Sequence, residues 1–411
     1  MTTITPKTLI INLLMFISLF PSVLEAQVYG CTDSQATNFN PSATNNDGSC
    51  LYNATSVTPT SSNNLAANLN ESSGLAFWNS QFWTHNDNLD ANIYSLNPID
   101  GTIIQTYPLG ITNTDWEEIS QDNDYVYIGD FGNNANGNRT DLKIYKISKS
   151  SILASAPIIE TINFSYSNQS DFTPTGGNNT NFDCEAFIVT NDKIYLFTKQ
   201  WTNHQTSLYS LDKTPGTHST TFLGTINVQG LITGATYREA DRIIALSGYD
   251  IGLQPFSYLL YDFNAPDFFG GNKRKIGINL TFHQVEGIAS NSGTAFYITN
   301  EHFANPPFVN NPQKLQSLDF NSFLGTYLSI DEHKVDNKFL IYPNPTNHTI
   351  TLEIPKQLIG EHYSILDSQA RTIVSGTIQL EKSTIDVEKL PNGLYLIQIN
   401  QMTKSLKFIK N

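Results

Sequence analysis

The sequence predicts an all-β chain: a β-propeller of five blades, with six admitted, followed by a small C-terminal β-sandwich. Three observations carry this reading. One pattern recurs five times across residues 71–320, the recurrences fall at blade length, and residues 338–411 form a separate strand-and-turn unit with its own motif order.

Each copy has a small or acidic residue, an apolar strand, a turn, a second strand rich in Tyr or Ile, and a third strand with an Ile-Tyr-x-Leu-like run. The copies begin at Ser73-Gly74-Leu75, Glu117-Glu118-Ile119, Glu185-Ala186-Phe187, Thr233-Gly234-Ala235 and Glu286-Gly287-Ile288. Gly74, Glu118, Ala186, Gly234 and Gly287 then stand 44, 68, 48 and 53 residues apart, which is blade spacing with one insertion at about 148–182. Runs such as Thr102–Tyr107 and Phe222–Asn227 supply fourth strands. Four short antiparallel strands repeated radially make a propeller. The segment near 55–70 is placed to contribute a strand that latches the last blade and protects its edge. A sixth blade is admitted if the insertion or residues 321–332 hide a degenerate copy.

At the N-terminus, Lys7 is the only charge in the first 24 residues, and an apolar run from Leu9 to Phe20 is broken only by Asn12 and Ser18. Pro21 and Ala26 follow, so residues 1–26 read as a signal peptide, too short for a comfortable membrane anchor. At the C-terminus, Ile350, Leu352 and Ile354 alternate with polar residues, as do Leu394, Leu396, Ile397 and Ile399 less strictly, which suits half-buried strands. Pro343 and Pro345 forbid a helix start and fix an extended entry, and Asn392-Gly393 marks a turn. Residues 331–337 read as a linker between this unit and the propeller at 55–330.

The order Tyr342-Pro343-Asn344-Pro345, Tyr363–Asp367, then Gly393-Leu394-Tyr395 and a basic end at Lys404–Lys410 resembles the type A C-terminal sorting domain of type IX secretion cargo in Bacteroidetes-group bacteria. The resemblance implies engagement of the type IX machinery, export across the outer membrane, removal of 338–411, and release or attachment at the cell surface. Gln369 stands where that family carries a turn glycine.

A net charge of −14 argues against nucleic acid, whose phosphates demand clustered Lys and Arg. With 19 Tyr, 24 Phe and only three Cys, the chain reads as a secreted β protein with roughly 300 residues left for a core once both targeting segments are removed. Cys31 and Cys50 bracket a short segment and can pair in an oxidising compartment, leaving Cys184 as a buried strand residue. Residues 27–54 resemble a Cys-bracketed repeat of secreted Bacteroidetes proteins whose Asp- and Asn-rich turns look like calcium loops. Asp33, Asn45, Asn46 and Asp47 would be its oxygen donors around Gly48. No Glu closes an EF-hand spacing, and a disulfide-closed spacer with Asx turns is the other reading.

In a propeller the innermost strand lines the axis, so equivalent positions of successive blades converge. Asp115, Glu117, Asp183, Glu185 and Glu286 would crowd one funnel, where like charges raise one another's pKa or recruit a cation. Alternation along the strand puts Glu71 and Asp115 on the same face as Ser73 and Glu117. A second polar set would form the rim: His85, Asn86, Asp87, Asp130, His283, Asn300 and Glu301. The repeats resemble phytase-like, esterase-like and NHL-type propellers at the level of blades. No Gly-x-Ser-x-Gly elbow, paired-His zinc motif or phosphate loop appears. Lys273-Arg274-Lys275, the one basic cluster of the middle domain, reads as a solvated turn. The expected function is a secreted or surface-attached binding protein with calcium in its channel and an unknown ligand. The alternative is a propeller hydrolase acting on a phosphoester, lactone or glycan at the channel mouth.

Overall fold

The computed structural model describes residues 27–88, 90–329, 340–354, 358–369, 371–399 and 406–411; the expected leader 1–26 and linker 331–337 lie outside them. Five sheets are ordered from inside outward. Blade one is Ser72–Trp78, Gln81–Asn86, Asn92–Leu96 and Ile103–Pro108; blade two is Trp116–Gln121, Tyr125–Asp130, Lys143–Ser148 and Ile159–Ser165. Blade three is Asp183–Val189, Lys193–Lys199, Gln205–Asp212 and Thr221–Asn227; blade four is Leu231–Arg238, Ile243–Tyr249, Pro255–Tyr261 and Asn272–Ile278. Blade five is Val285–Ser292, Ala295–Asn300 and Lys314–Asp319, and its outer strand is Ser61–Asn64, paired antiparallel from the opposite end of the domain. The inner strands abut in ring order, and the fifth packs on the first. The ring is a closed five-bladed propeller, latched as the sequence predicts.

The insertion at 148–182 supplies blade two's fourth strand, on whose outer edge Gly216–Ser219 adds a short parallel fifth. Residues 321–329 are a helix, so neither region holds a sixth blade. Hydrophobic side chains fill the gaps between neighbouring sheets: Phe197, Ile232, Leu246 and Phe256 between blades three and four, and Tyr127, Phe131, Phe187 and Leu196 between two and three. Burial of such side chains contributes roughly 1.5–3 kcal/mol each and dominates the stability of the ring.

At the axis the blades are held by polar contacts. The Glu118 carboxylate is wholly buried and accepts three backbone N–H groups from three blades. Ile119 donates at 2.9 Å from its own strand, Leu75 at 3.2 Å from blade one, and Ala235 at 2.7 Å from blade four. Ser73 Oγ donates to Glu117 O, and Thr233 Oγ1 to Val285 O, both at 2.5 Å, joining blade one to two and four to five. Glycine permits this approach: a Cβ on Gly287 would lie 2.7 Å from the Gly74 carbonyl carbon.

Residues 27–54 dock on blade four. Cys31 and Cys50 are disulfide-bonded, and Cys184 is free and buried. Asn46 Nδ2 donates to Asp262 Oδ2 at 2.8 Å and Asn272 Oδ1 at 2.9 Å, while Asp33 Oδ2 accepts the hydroxyls of Tyr52 and Tyr261. Lys273-Arg274-Lys275 is not the solvated turn the sequence suggests. It lies on blade four's outer strand, with the buried Arg274 guanidinium 4.7 Å from the ring centres of both Tyr52 and Phe323. Lys273 Nζ donates to Gly48 O at 3.0 Å. The docked module gives this basic strand its cover.

The C-terminal residues form two sheets face to face. One holds Leu340–Tyr342, Thr349–Glu353 and Lys382–Asp386; the other Thr372–Thr377, His362–Leu366, Gly393–Ile399 and Leu406–Lys410. Ile350, Leu352 and Ile354 face the core as expected. On Gly393–Ile399 the inward set is Tyr395, Ile397 and Ile399, while Leu394 is half exposed. Where a turn glycine is missing at Gln369, Asp367 Oδ1 accepts the N–H of Gln369 and of Arg371, closing the turn with a side chain.

Candidate functional site at the channel mouth

The inner strands begin at one end of the ring, and there the carboxylates gather. In all five blades the pairing of inner and second strand slips at the same level: between Ser73 and Ala76, at Glu117, and between Cys184 and Ala186, Ile232 and Gly234, and Val285 and Ile288. A β-bulge re-aims the side chain it carries. Asp183 and Glu185 keep the simple alternation, buried near the axis with Cys184 turned into the core between them, whereas at the blade-two bulge the adjacent Glu117 and Glu118 both reach groups of other blades, Glu185 and the Ala235 N–H.

Two groups of carboxylates result. The axial nest holds Asp115, Glu117, Asp183, Glu185 and Glu286 around the buried Lys199, whose ammonium donates to Glu185 Oε2 at 2.5 Å and lies 4.7 Å from the Trp201 ring centre. Asp183 is saturated by donors, with Asn133 N at 2.6 Å and Trp201 Nε1 at 2.8 Å. Asp115 and Glu117 meet over Gly132, where a Cβ would fall 2.4 Å from Asp115 Oδ2 and 2.2 Å from Glu117 Oε1. Only glycine leaves room for both carboxylates.

The rim triad is Glu71, Asp87 and Glu301, whose carboxylate oxygens lie within 4.8 Å of one another. Asp87 Oδ1 is buried and has no hydrogen-bond partner among the described residues. Lys199 pairs directly with Glu185 of the nest and acts on Glu301 of this triad only through space.

The charges act on one another throughout. Burial, then Glu71 and Asp115, push the Asp87 carboxyl up to about 7; burial, then Asp183, push Asp115 up to about 6. Burial raises Glu286 to about 7 against the pull of Lys199. Glu117 is held well above the ordinary range by burial and by Glu185, and Glu301 likewise by burial and by Glu286. The mouth is a pool of eight carboxyls with Lys199 as its internal cation.

Other residues expected at the rim stand behind it. His85 is fully buried with Nδ1 3.0 Å from Asn86 O, packs edge-on against Trp116, and is driven by burial down to about 4, hence neutral. Asn86 donates to Asn68 O and Asp90, and Asn300 to Glu301 O and Pro312 O, as braces of the loops. Asp130 is buried in an ion pair with Arg139 at 2.8 Å. His283 Nδ1 lies 2.8 Å from Thr281 O. In the N-terminal module, Asp33 and Asn46 are turned to blade four, Asn45 lies on a two-residue strand, and Asp47 Oδ1 caps Ser49 N in an exposed turn. Glu71 is legible as the register mate of Ser73, and Lys199 as a rim neighbour, yet neither stands out in the sequence as a site residue.

Residues 340–411 match the family described as the secretion system C-terminal sorting domain. The chain is type IX secretion cargo. Tyr342, Pro343, Asn344, Pro345, Gly393 and Tyr395 lie in this matched segment; Asn344 ties its two ends by donating to Lys407 O and accepting Ile409 N, and Tyr395 OH donates to Pro391 O. The sorting tail implies secretion to the cell surface or beyond. No helix among the described residues is long and apolar enough to cross a membrane.

No curated protein sequence matches this cargo chain. Among solved structures it is similar to the PQQ-bound aldose sugar dehydrogenase of Streptomyces coelicolor, at 11% identity and TM-score 0.38 over 64% of this chain and 98% of that one. It is also similar to PorZ, an essential surface component of the type IX system of Porphyromonas gingivalis, at 10% and 0.30 over 83% and 45%. Hydrazine synthase of Kuenenia stuttgartiensis gives 13% and 0.34 over 64% and 69%. None is close enough to transfer a ligand or an activity.

Deleting 340–411 is expected to leave the cargo in the periplasm, read by cell fractionation and immunoblotting. Equal secretion of the truncated chain would contradict the role of the tail.

Proposed function

We propose that this cargo is a binding protein of the cell exterior that holds calcium between Glu71, Asp87 and Glu301 and presents it to an oxygen-rich ligand. The observation that carries the reading is the triad itself: three carboxylates converge, and one buried oxygen among them lacks a hydrogen-bond donor. Calcium takes six to eight oxygens, so three carboxylates leave positions for water or ligand. Release from the leader 1–26 and from the sorting tail completes the mature form, anchored or free.

The test is the melting temperature with and without calcium at pH 8. Calcium at about 100 times its Kd stabilises by about 2.7 kcal/mol, a rise of several degrees. Asp87→Asn and Glu301→Gln should each abolish that rise. If both variants respond as the wild type does, the triad is not the site.

A hydrolase is the second reading, favoured by Glu117. Its carboxyl is kept protonated above the ordinary range beside the Glu185–Lys199 pair, the state a general acid requires. On that reading Glu117→Gln removes turnover of a phosphoester, lactone or glycan and leaves the calcium response intact.

A further inference from the structure

The opposite end of the ring carries a second concavity. The inner strands of blades two, three and four end at Gln121, Val189 and Arg238, and the turns beyond them enclose a cleft of about 520 Å³. Gln121, Val189 and Tyr237 also line a space of about 80 Å³ that continues inward past Phe77, so the cleft opens into the lower channel. Ligand pockets run from about 300 to 1,000 Å³, which here corresponds to one or two sugar rings.

The chemistry of the walls selects the ligand. Asp122 is already engaged: Oδ2 accepts Tyr127 OH and Lys213 Nζ, and Oδ1 accepts the N–H of Asp124 and Tyr125. Lys149 donates to Asp122 O at 2.6 Å, and Glu239 lines the same cleft, so one cation and one carboxylate remain in its walls. Gln121 Nε2 donates to Phe77 O at 2.6 Å, while its Oε1 is buried without a partner among the described residues. Asn123 and Asn191 add exposed carboxamides on two turns, and Tyr237 adds a half-buried ring.

A phosphorylated ligand would meet Glu239, and an apolar one would bury amides without partners, which is costly. A neutral polyol meets each requirement. Its hydroxyls both donate and accept, and the C–H face of a sugar ring covers an aromatic side chain. We propose that this lower cleft binds a neutral glycan, independently of the cation at the opposite mouth.

The mature secreted protein should be titrated with cellobiose, maltose, xylobiose and di-N-acetylchitobiose by calorimetry and ligand-observed NMR. At least one is expected to bind with Kd of about 1 mM or tighter. The double variant Asn123→Ala, Asn191→Ala, which alters only exposed turns, should weaken it about tenfold. Asp87→Asn and removal of calcium should leave it unchanged, which keeps failure of this cleft distinct from failure of the cation site. Absence of binding by all four sugars, or equal binding by the double variant, overturns the proposal. So does loss of binding in Asp87→Asn, because that assigns the sugar to the upper mouth.

Discussion

Glu118→Ala is expected to destabilise the propeller by about 3–5 kcal/mol, among the largest effects a single substitution produces. The wholly buried carboxylate accepts N–H groups from blades one, two and four at the axis. Each orphaned buried donor costs about 1–3 kcal/mol. Burial pushes the Glu118 carboxyl well above its ordinary range, and the three donors oppose that shift. Glu118→Gln keeps one oxygen for the Leu75 and Ile119 N–H groups but turns a donor toward Ala235. Its loss should be smaller, about 1–3 kcal/mol. Chemical denaturation should rank wild type above glutamine above alanine, with the alanine melting temperature lower by on the order of 10 °C. Wild-type stability in the alanine variant would show that the blades do not depend on this axial group.

The second large effect is on pH dependence. Asp87, Asp115 and Glu286 are raised to about 7, 6 and 7 in the folded chain. A carboxyl with a raised folded-state pKa binds its proton more tightly folded than unfolded. Its contribution is therefore full below the ordinary carboxylate range and is lost as pH rises toward the folded value. Without calcium, this mouth should weaken the protein between about pH 4 and 7 by roughly 2–5 kcal/mol, and stability should level off above. His85 acts in the opposite sense: held neutral to about 4, it costs stability as pH falls below its ordinary 6.5. The difference between wild-type and Asp87→Asn profiles removes this common background. Melting curves from pH 4 to 8 should show the variant gaining on the wild type as pH rises, and calcium closing the gap above pH 7. Parallel profiles would mean that the mouth carboxyls do not repel as the geometry requires.

Much of the fold is legible because each blade repeats the same physical statement, a small or acidic residue at the axis followed by strands of Ile, Tyr and Leu. The latch and the absence of a sixth blade follow from closure. What the sequence hides is register. The bulge at Glu117 depends on pairing with a strand about a dozen residues away, and it lets Glu118 reach the Ala235 N–H of blade four while Glu117 faces Glu185. His85 and Asp130 carry rim chemistry by type, yet tertiary packing assigns the first to a Trp116 contact and the second to Arg139. Lys273-Arg274-Lys275 looks solvated because its cover, Tyr52 and the module around it, lies more than two hundred residues upstream. Glu71 is visible as a register mate, but its meeting with Glu301 follows from ring closure between blades one and five.

The most direct measurement is an anomalous difference map from crystals grown with a lanthanide in place of calcium. One dominant peak among Glu71, Asp87 and Glu301, absent in Asp87→Asn crystals, is the predicted result. A peak at Asp33–Asp47 or within the nest around Lys199, with none at the triad, would contradict it.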